Sequence, residues 1–158
     1  MSAKVKTCLW FDGQGEQAAE FYVSLLPNSR IESVFRPSPE GPALVVEFVL
    51  AGTPYQALNG GPLYQLNEAT SLVVVTEDQA ETDQLWGALT ADGGNESRCG
   101  WLVDRFGVSW QIVPKRLLQL LSDSDRDAAG RAMQAMLQMN KIEIAALEAV
   151  HADAAART

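Results

Sequence analysis

The chain holds few side chains that are typical of nucleophilic, acid–base or metal chemistry. Its two cysteines are Cys8 and Cys99, and its only histidine, His151, lies close to the C-terminus. A cysteine becomes a good nucleophile when a nearby base or cation lowers its pKa, and neither cysteine has a histidine nearby in the sequence. We therefore expect Cys8 to be a buried, small apolar residue. Asp104 and Arg105 form the remaining acid–base candidate, but their place between two predicted strands indicates an aspartate that fixes a turn and a solvated arginine.

A glutamine recurs at the same place in a repeated motif. Gly107-Val108-Ser109-Trp110-Gln111-Ile112-Val113 matches Gly52-Thr53-Pro54-Tyr55-Gln56-Ala57-Leu58 at an offset of 55 residues. A weaker match relates residues 16–22 to residues 81–86. A period of about 60 residues is too long for most solenoids and indicates a duplicated supersecondary unit.

Hydrophobic periodicity predicts the order β-α-β-β-β in each copy. The first copy has strands in 5–11, 31–35, 43–50 and 53–58 and a helix in 16–26, and the second has strands in 71–75, 96–103 and 108–113 and a helix in 78–90. Three short helices are predicted after Pro114. Met133, Met136 and Met139 follow helical spacing there, which indicates a packed helix face or a dimer contact.

Composition excludes several classes of protein. Of 158 residues, 47% are hydrophobic and 20% are charged, which is typical of one globular domain. The net charge of −8 argues against nucleic-acid binding, because phosphate neutralisation needs a basic surface. The sequence has no apolar run of membrane-spanning length and no secretory signal, and its two cysteines favour a reducing compartment. We therefore expect a cytoplasmic protein that binds neither nucleic acid nor membrane.

Several motifs occur in a fixed order along the chain. They are Leu9-Trp10-Phe11-Asp12, Ala18-Ala19-Glu20-Phe21-Tyr22, Leu58-Asn59-Gly60-Gly61-Pro62, Cys99-Gly100-Trp101-Leu102-Val103-Asp104, Gly107 to Pro114, and Arg131 to Leu137 with Lys141-Ile142. Together these motifs resemble the PhnB-like branch of the vicinal oxygen chelate superfamily, which includes glyoxalase I and extradiol dioxygenases. This resemblance implies an α+β fold of two tandem βαβββ modules, each a curved half-barrel, that enclose a cavity. The implied glyoxalase-like domain is 1–114, with module one at about 4–61 and module two at about 68–114, and 115–158 forms a helical C-terminal extension. A homodimer is also implied.

The resemblance also implies a set of cavity residues. Metal-dependent relatives hold a divalent ion with His, Glu or Gln from the first and last strand of each module, and the matching positions here are Thr7, Gln56, Ser71 and Gln111. Hydroxyls and amides are weak neutral donors for catalytic metals, so we expect these residues to bind a ligand without a metal cofactor. The two glutamines have a structural alternative, in which they only satisfy each other's hydrogen bonds. The candidate pocket walls are Trp101 and Phe48.

Three functions compete on this basis. The first is binding of a small molecule in the cavity, without a catalytic metal. The second is a lyase or isomerase of the superfamily's type with a weakly bound divalent metal. The third is a methyltransferase, since some PhnB-like proteins carry the name 3-demethylubiquinone-9 3-methyltransferase. The sequence lacks the extended glycine-rich strand-to-helix turn of doubly wound nucleotide-binding domains, so the methyltransferase is the least favoured of the three.

Overall fold

The computed structural model describes residues 3–153 and confirms the predicted α+β fold of two βαβββ modules with C-terminal helices. The chain divides into two compact units between Leu66 and Asn67. Each unit contains its own four-stranded mixed sheet. Among the described residues, no helix is long and apolar enough to cross a membrane.

The first unit folds in the order β1, α1, β2, β3, β4, and its strands lie in the order β1-β4-β3-β2. The pairing of β1 with β4 is parallel and the other pairings are antiparallel. The backbone N–H of Gly15 donates to Asn59 Oδ1 at 2.8 Å, which ties the start of α1 to the end of β4. The elements are β1 (Thr7–Phe11), α1 (Gly15–Leu25), β2 (Arg30–Phe35), β3 (Val45–Leu50) and β4 (Thr53–Asn59).

Strand alternation gives the first sheet one face covered by α1 and one open face. Leu9 and Phe11 of β1 are buried, and Phe11 lies against the first residue of α1, so these residues occupy the covered face. The intervening residues therefore point to the other side. We call this side the open face of the first sheet, defined by Cys8, Trp10, Glu47 and Gln56.

The second unit repeats this arrangement. Its strands lie in the order β5-β8-β7-β6, again with the first strand parallel to the last. Leu72, Trp110 and Leu102 are in register and buried on one side of the sheet. The other side is the open face of the second sheet, defined by Ser71, Val73, Val75, Trp101, Val103, Ser109, Gln111 and Val113. The elements are β5 (Ser71–Thr76), α2 (Gln79–Thr90), β6 (Asn95–Glu96), β7 (Trp101–Val103) and β8 (Ser109–Pro114).

The C-terminal helices belong to the second unit and have an apolar cluster of their own. The helices are α3 (Lys115–Leu121), α4 (Arg126–Met136) and α5 (Ile144–His151). Of the three methionines that were predicted to pack, Met136 and Met139 contact this apolar cluster, whereas Met133 is exposed. Met136, on α4, and Met139, in the segment after α4, therefore make intramolecular contacts. The cluster consists of Leu117, Leu120, Ala132, Ile142 and Leu147.

Gln79, at the start of α2, holds the extension in place. Its amide group donates to the carbonyl of Ile142 at 3.0 Å and accepts from the N–H of Ile144 at 2.8 Å. The backbone N–H groups of Cys99 and Gly100 also donate to carbonyls of the segment between α4 and α5, each at 2.8 Å. The extension is thus hydrogen-bonded to the module that precedes it.

Candidate functional site

Gln111 lies at the centre of the open face of the second sheet. Its neighbours in register are Val73 on β5 and Trp101 on β7. Its amide nitrogen donates to Ser71 Oγ at 2.9 Å, and among the described residues no donor reaches its amide oxygen. The structure therefore brings together three of the residues predicted from the sequence, namely Ser71, Trp101 and Gln111.

Asp104 fixes the turn that leads into β8, as predicted. Its Oδ1 accepts the backbone N–H groups of Phe106 and Val108 at 2.8 and 3.0 Å. Its Oδ2 also accepts the indole N–H of Trp110 at 2.8 Å, a contact that the sequence did not predict. Trp110 is buried on the covered side of the sheet, so the next residue, Gln111, is directed to the open side.

Ser109 is a candidate site residue that the sequence did not indicate. It precedes Gln111 by two positions on β8, so both side chains belong to the same face of the sheet. Its hydroxyl is buried and has no hydrogen-bond partner among residues 3–153. A buried hydroxyl without a partner costs about 1–3 kcal/mol, so we expect a ligand atom or water to bond to it. In the sequence, the feature that could have indicated Ser109 was its position in the repeated motif, two residues before Gln111, where the first copy has Pro54.

The rest of this face is apolar and uncharged. Val73 and Val75 are 55% and 51% exposed, although valines on a sheet are ordinarily covered. Val103 and Val113 are half-buried. None of the face's residues on β5, β7 and β8 carries a charge. The face therefore suits a neutral ligand surface with a few hydrogen-bonding atoms.

In the first sheet, Gln56 lies between Cys8 on β1 and Glu47 on β3. Its amide nitrogen lies 3.6 Å from Cys8 Sγ. Thr7 is in register with Tyr55 and points to the covered side, so Thr7 and Gln56 do not share a face. The expectation for Thr7 was wrong by one residue, which reverses the face in a strand.

Other expectations for the first sheet also need correction. Cys8 is exposed instead of buried. Phe48 is 1% exposed, stacks on Tyr55 with ring centres 5.5 Å apart, and lies 6.5 Å from the ring of Tyr22 on α1, so it faces the helix and not the open face. Trp10 lies on the open side, where its indole N–H donates to the carbonyl of Gly61 at 2.8 Å. Burial raises the pKa of Tyr55 above its ordinary value, so its hydroxyl is protonated at neutral pH.

The residues around the two glutamines do not fit a catalytic transition metal. Gln111 has Val73 and Trp101 beside it, and neither is a metal ligand. Gln56 has a thiol on one side, and the carboxylate of Glu47 on the other side is paired with a lysine. Within residues 3–153, no group of three or more His, Cys, Asp or Glu side chains is placed to hold a metal ion. Catalytic sites for zinc, iron and nickel need imidazole or carboxylate ligands that this arrangement lacks.

His151 is not part of either sheet face. It lies in the last turn of α5, with Nε2 3.0 Å from Asp123 Oδ2, and only 19% of its side chain is exposed. The structure packs it against the segment before α4. The pKa of Asp123 is lowered by the backbone N–H of Asp125 and by His151.

Known proteins match this chain both in sequence and in fold. The model of the family described as 3-demethylubiquinone-9 3-methyltransferase matches residues 3–113. The PhnB protein from Bacillus cereus is 29% identical, with a TM-score of 0.65 over 71% of this chain and 99% of that chain. No protein of curated function matches the chain.

Two more distant structures share the fold alone. A protein from Pseudomonas aeruginosa is 22% identical, with a TM-score of 0.58 over 72% of this chain and 98% of that chain. The fosfomycin resistance protein FosX from Listeria monocytogenes, complexed with Mn(II) and dihydroxypropylphosphonic acid, is 13% identical, with a TM-score of 0.52 over 72% of this chain and 92% of that one.

Proposed function

Since the chain belongs to the 3-demethylubiquinone-9 3-methyltransferase family, the PhnB-like branch of the vicinal oxygen chelate superfamily, we propose that it binds a small neutral molecule without a catalytic metal. The observation that carries this proposal is the uncharged open face of the second sheet. There Gln111 offers an amide oxygen between Trp101 and the exposed Val73, and Ser109 offers a buried hydroxyl between Ser71 and Val103. A planar, largely apolar molecule with one hydrogen-bonding group matches this surface.

The amide of Gln111 has a defined orientation for this task. Its N–H donates to Ser71 Oγ, so its oxygen is the free acceptor. A ligand hydroxyl or amide N–H would donate to that oxygen. On the first sheet, Gln56 has no comparable apolar surroundings, because Glu47 lies in register beside it. We therefore assign the ligand contact to Gln111 on the second sheet.

Nuclear magnetic resonance titration tests this proposal with phenol and benzamide, which are neutral rings with one polar group. We expect saturable shifts of the side-chain amide signal of Gln111 and the indole signal of Trp101. Gln111→Ala removes one hydrogen bond and lowers affinity about tenfold. Gln84→Ala, an exposed glutamine on α2, is the matched control and leaves affinity unchanged. If neither probe moves the signals of Gln111 and Trp101, the assignment of this face is wrong.

The same titration separates binding from a purely structural role of the glutamine. A structural Gln111 predicts that Gln111→Ala loses stability and that probes bind neither protein. Gln111→Glu is the second variant, since it keeps the shape and adds a charge. We expect it to retain the fold and to weaken binding of the neutral probes.

Methyl transfer is the alternative that the family's description names. Cofactor-dependent methyl transfer ordinarily uses a doubly wound parallel sheet with a glycine-rich turn at the cofactor. Here β1 leads through a short turn into α1, but both sheets are mixed and have only one parallel pair each. We therefore propose binding in place of methyl transfer. Saturable binding of S-adenosylmethionine would contradict this proposal.

We propose a homodimer, because family resemblance implies one, and light scattering of the purified protein tests it. We propose a cytoplasmic location from the two free thiols, and fractionation of cells that express the chain tests it.

A further inference from the structure

A small cleft in the first unit is lined by charges of both signs. It has a volume of about 290 Å³, and its charged residues are Lys6, Arg30, Glu32 and Glu47. Lys6 pairs with Glu47 on β3, and Arg30 pairs with Glu32 on β2. The side chains of Lys6 and Glu47 are only 30% and 33% exposed, so this pair is partly withdrawn from water. The cleft therefore offers two cations and two carboxylates to any occupant.

The floor of the cleft is apolar. Val49 of β3 and Pro54 of β4 are in register with each other and with Arg30, and they lie on the same side of the sheet as Glu47. Val49 is only 8% exposed. Phe48 and Tyr55 also border the cleft, but their rings lie on the side covered by α1.

We propose that this cleft binds a small zwitterion, a molecule that carries one ammonium group and one carboxylate joined by a short apolar chain. A simple anion would displace a carboxylate from its lysine or arginine and leave that carboxylate unpaired, and a simple cation would leave a basic group unpaired. A neutral apolar molecule would cover four charges and offer them no partner. A zwitterion gives every charge a partner of opposite sign, and its chain lies on the apolar floor.

The volume of the cleft suits a ligand of about the size of an amino acid. A water molecule occupies about 30 Å³ in the liquid, so the volume corresponds to about ten waters. The pairs that must open are exposed enough to do so, because partly solvated ion pairs are weak. Binding of moderate affinity is therefore expected for a molecule of this size.

This inference goes beyond the function proposed above and does not depend on it. The cleft belongs to the first unit, and neither Gln56 nor Gln111 lines it. Gln111→Ala should therefore leave binding of a zwitterion unchanged, so the two proposals fail separately.

The test is a titration, followed by nuclear magnetic resonance, with β-alanine, γ-aminobutyrate and δ-aminovalerate. These zwitterions differ only in the length of chain between their charges. Butyrate and butylamine are the matched probes that lack one charge each. We expect saturable shifts of the backbone amide signals of Val49 and Tyr55 with at least one zwitterion, and about tenfold weaker binding of both singly charged probes.

Glu47→Gln makes the test specific. This variant removes the carboxylate that meets the ammonium group, so binding of the zwitterion weakens about tenfold. It also frees Lys6, so butyrate binds the variant at least as well as it binds the original protein. Glu77→Gln removes a carboxylate from a comparable lysine pair in the second unit and leaves both affinities unchanged. Arg30→Gln is a second cleft variant if Glu47→Gln fails to fold.

Several results would overturn the proposal. Equal binding of butyrate, butylamine and the zwitterions would show that the cleft does not require both charges. Absence of saturable shifts with all three zwitterions would show that the cleft is not a site for this class. An unchanged affinity in both Glu47→Gln and Arg30→Gln would place the binding elsewhere.

Discussion

Replacing Asp104 with alanine should cause a large loss of stability and disturb the candidate site. Its carboxylate accepts three hydrogen bonds, from the backbone N–H groups of Phe106 and Val108 and from the indole of Trp110. The last two bonds are buried. Leaving a buried donor unsatisfied costs about 1–3 kcal/mol, so two such donors give a loss of about 2–6 kcal/mol.

Asp104→Asn separates the contribution of the two backbone N–H bonds to stability from that of the indole bond. The asparagine keeps an acceptor for the two backbone N–H groups, but its amide nitrogen faces the indole N–H of Trp110. We expect it to lose about 1–3 kcal/mol, the cost of one unsatisfied buried donor. Asp92→Asn is the control, because Asp92 pairs with Arg105 at an exposed position, and such pairs contribute about 0–1 kcal/mol.

Urea unfolding followed by tryptophan fluorescence measures all three variants. The slope of free energy against urea should stay constant, because the surface exposed on unfolding does not change. If Asp104→Ala loses less than about 1 kcal/mol, the carboxylate does not hold the turn as described. If Asp92→Asn loses as much as Asp104→Ala, the effect belongs to charge and not to the hydrogen bonds.

Three further predictions concern the second unit. Gly100→Ala should lose about 2 kcal/mol or more of stability, since Gly100 has a φ of +84° and an added Cβ would lie 2.8 Å from a backbone oxygen. Gly107→Ala should lose only about 1 kcal/mol, because Gly107 has a φ of +87° but open space around it. Equal losses in urea unfolding would refute the packing argument. Gln79→Ala should lose about 1–3 kcal/mol of stability, because the Gln79 side chain makes two hydrogen bonds to the C-terminal extension. It should also speed amide hydrogen exchange at the start of α5, and unchanged exchange would contradict this. The pKa of Asp123 is lowered in the folded protein, first by the backbone N–H of Asp125. Its contribution to folding stability is therefore present above the unfolded-state pKa of 3.8 and is lost as pH falls through the lower folded-state pKa. Asp123→Asn should flatten the fall of stability at acid pH, and an unchanged fall would refute this.

The sequence predicted the order of elements because each strand and helix has its own hydrophobic period. The repeated glycine–glutamine motif also predicted that Gln56 and Gln111 occupy equivalent strands, and the structure places them on β4 and β8. In β8 the alternation is clear, since Trp110 and Ile112 are apolar and Ser109 and Gln111 are polar. The face of Gln111 was predictable for that reason.

The face of β1 was not predictable in this way. Its sequence is apolar on both sides, with Leu9 and Phe11 alternating with Cys8 and Trp10. Period-two alternation therefore does not indicate which side of β1 faces the helix. The choice of Thr7 over Cys8 as a cavity residue followed from the family resemblance. The structure resolves it through the contact of Phe11 with the start of α1.

Contacts between residues far apart in the sequence were also beyond prediction. Gln79 reaches Ile142 across 63 positions, and no local pattern marks it. The unpartnered hydroxyl of Ser109 depends on what buries it, which only the fold defines. The charged cleft likewise forms from three separate segments of the first unit.

The most direct test of the central claim is the affinity of benzamide for the protein, measured by calorimetry with and without a metal chelator and with added Mn²⁺. A metal-free site built on Gln111 predicts one affinity under all three conditions and an affinity about tenfold weaker in Gln111→Ala. Binding that disappears with the chelator, returns with Mn²⁺ and is indifferent to Gln111→Ala would contradict the account.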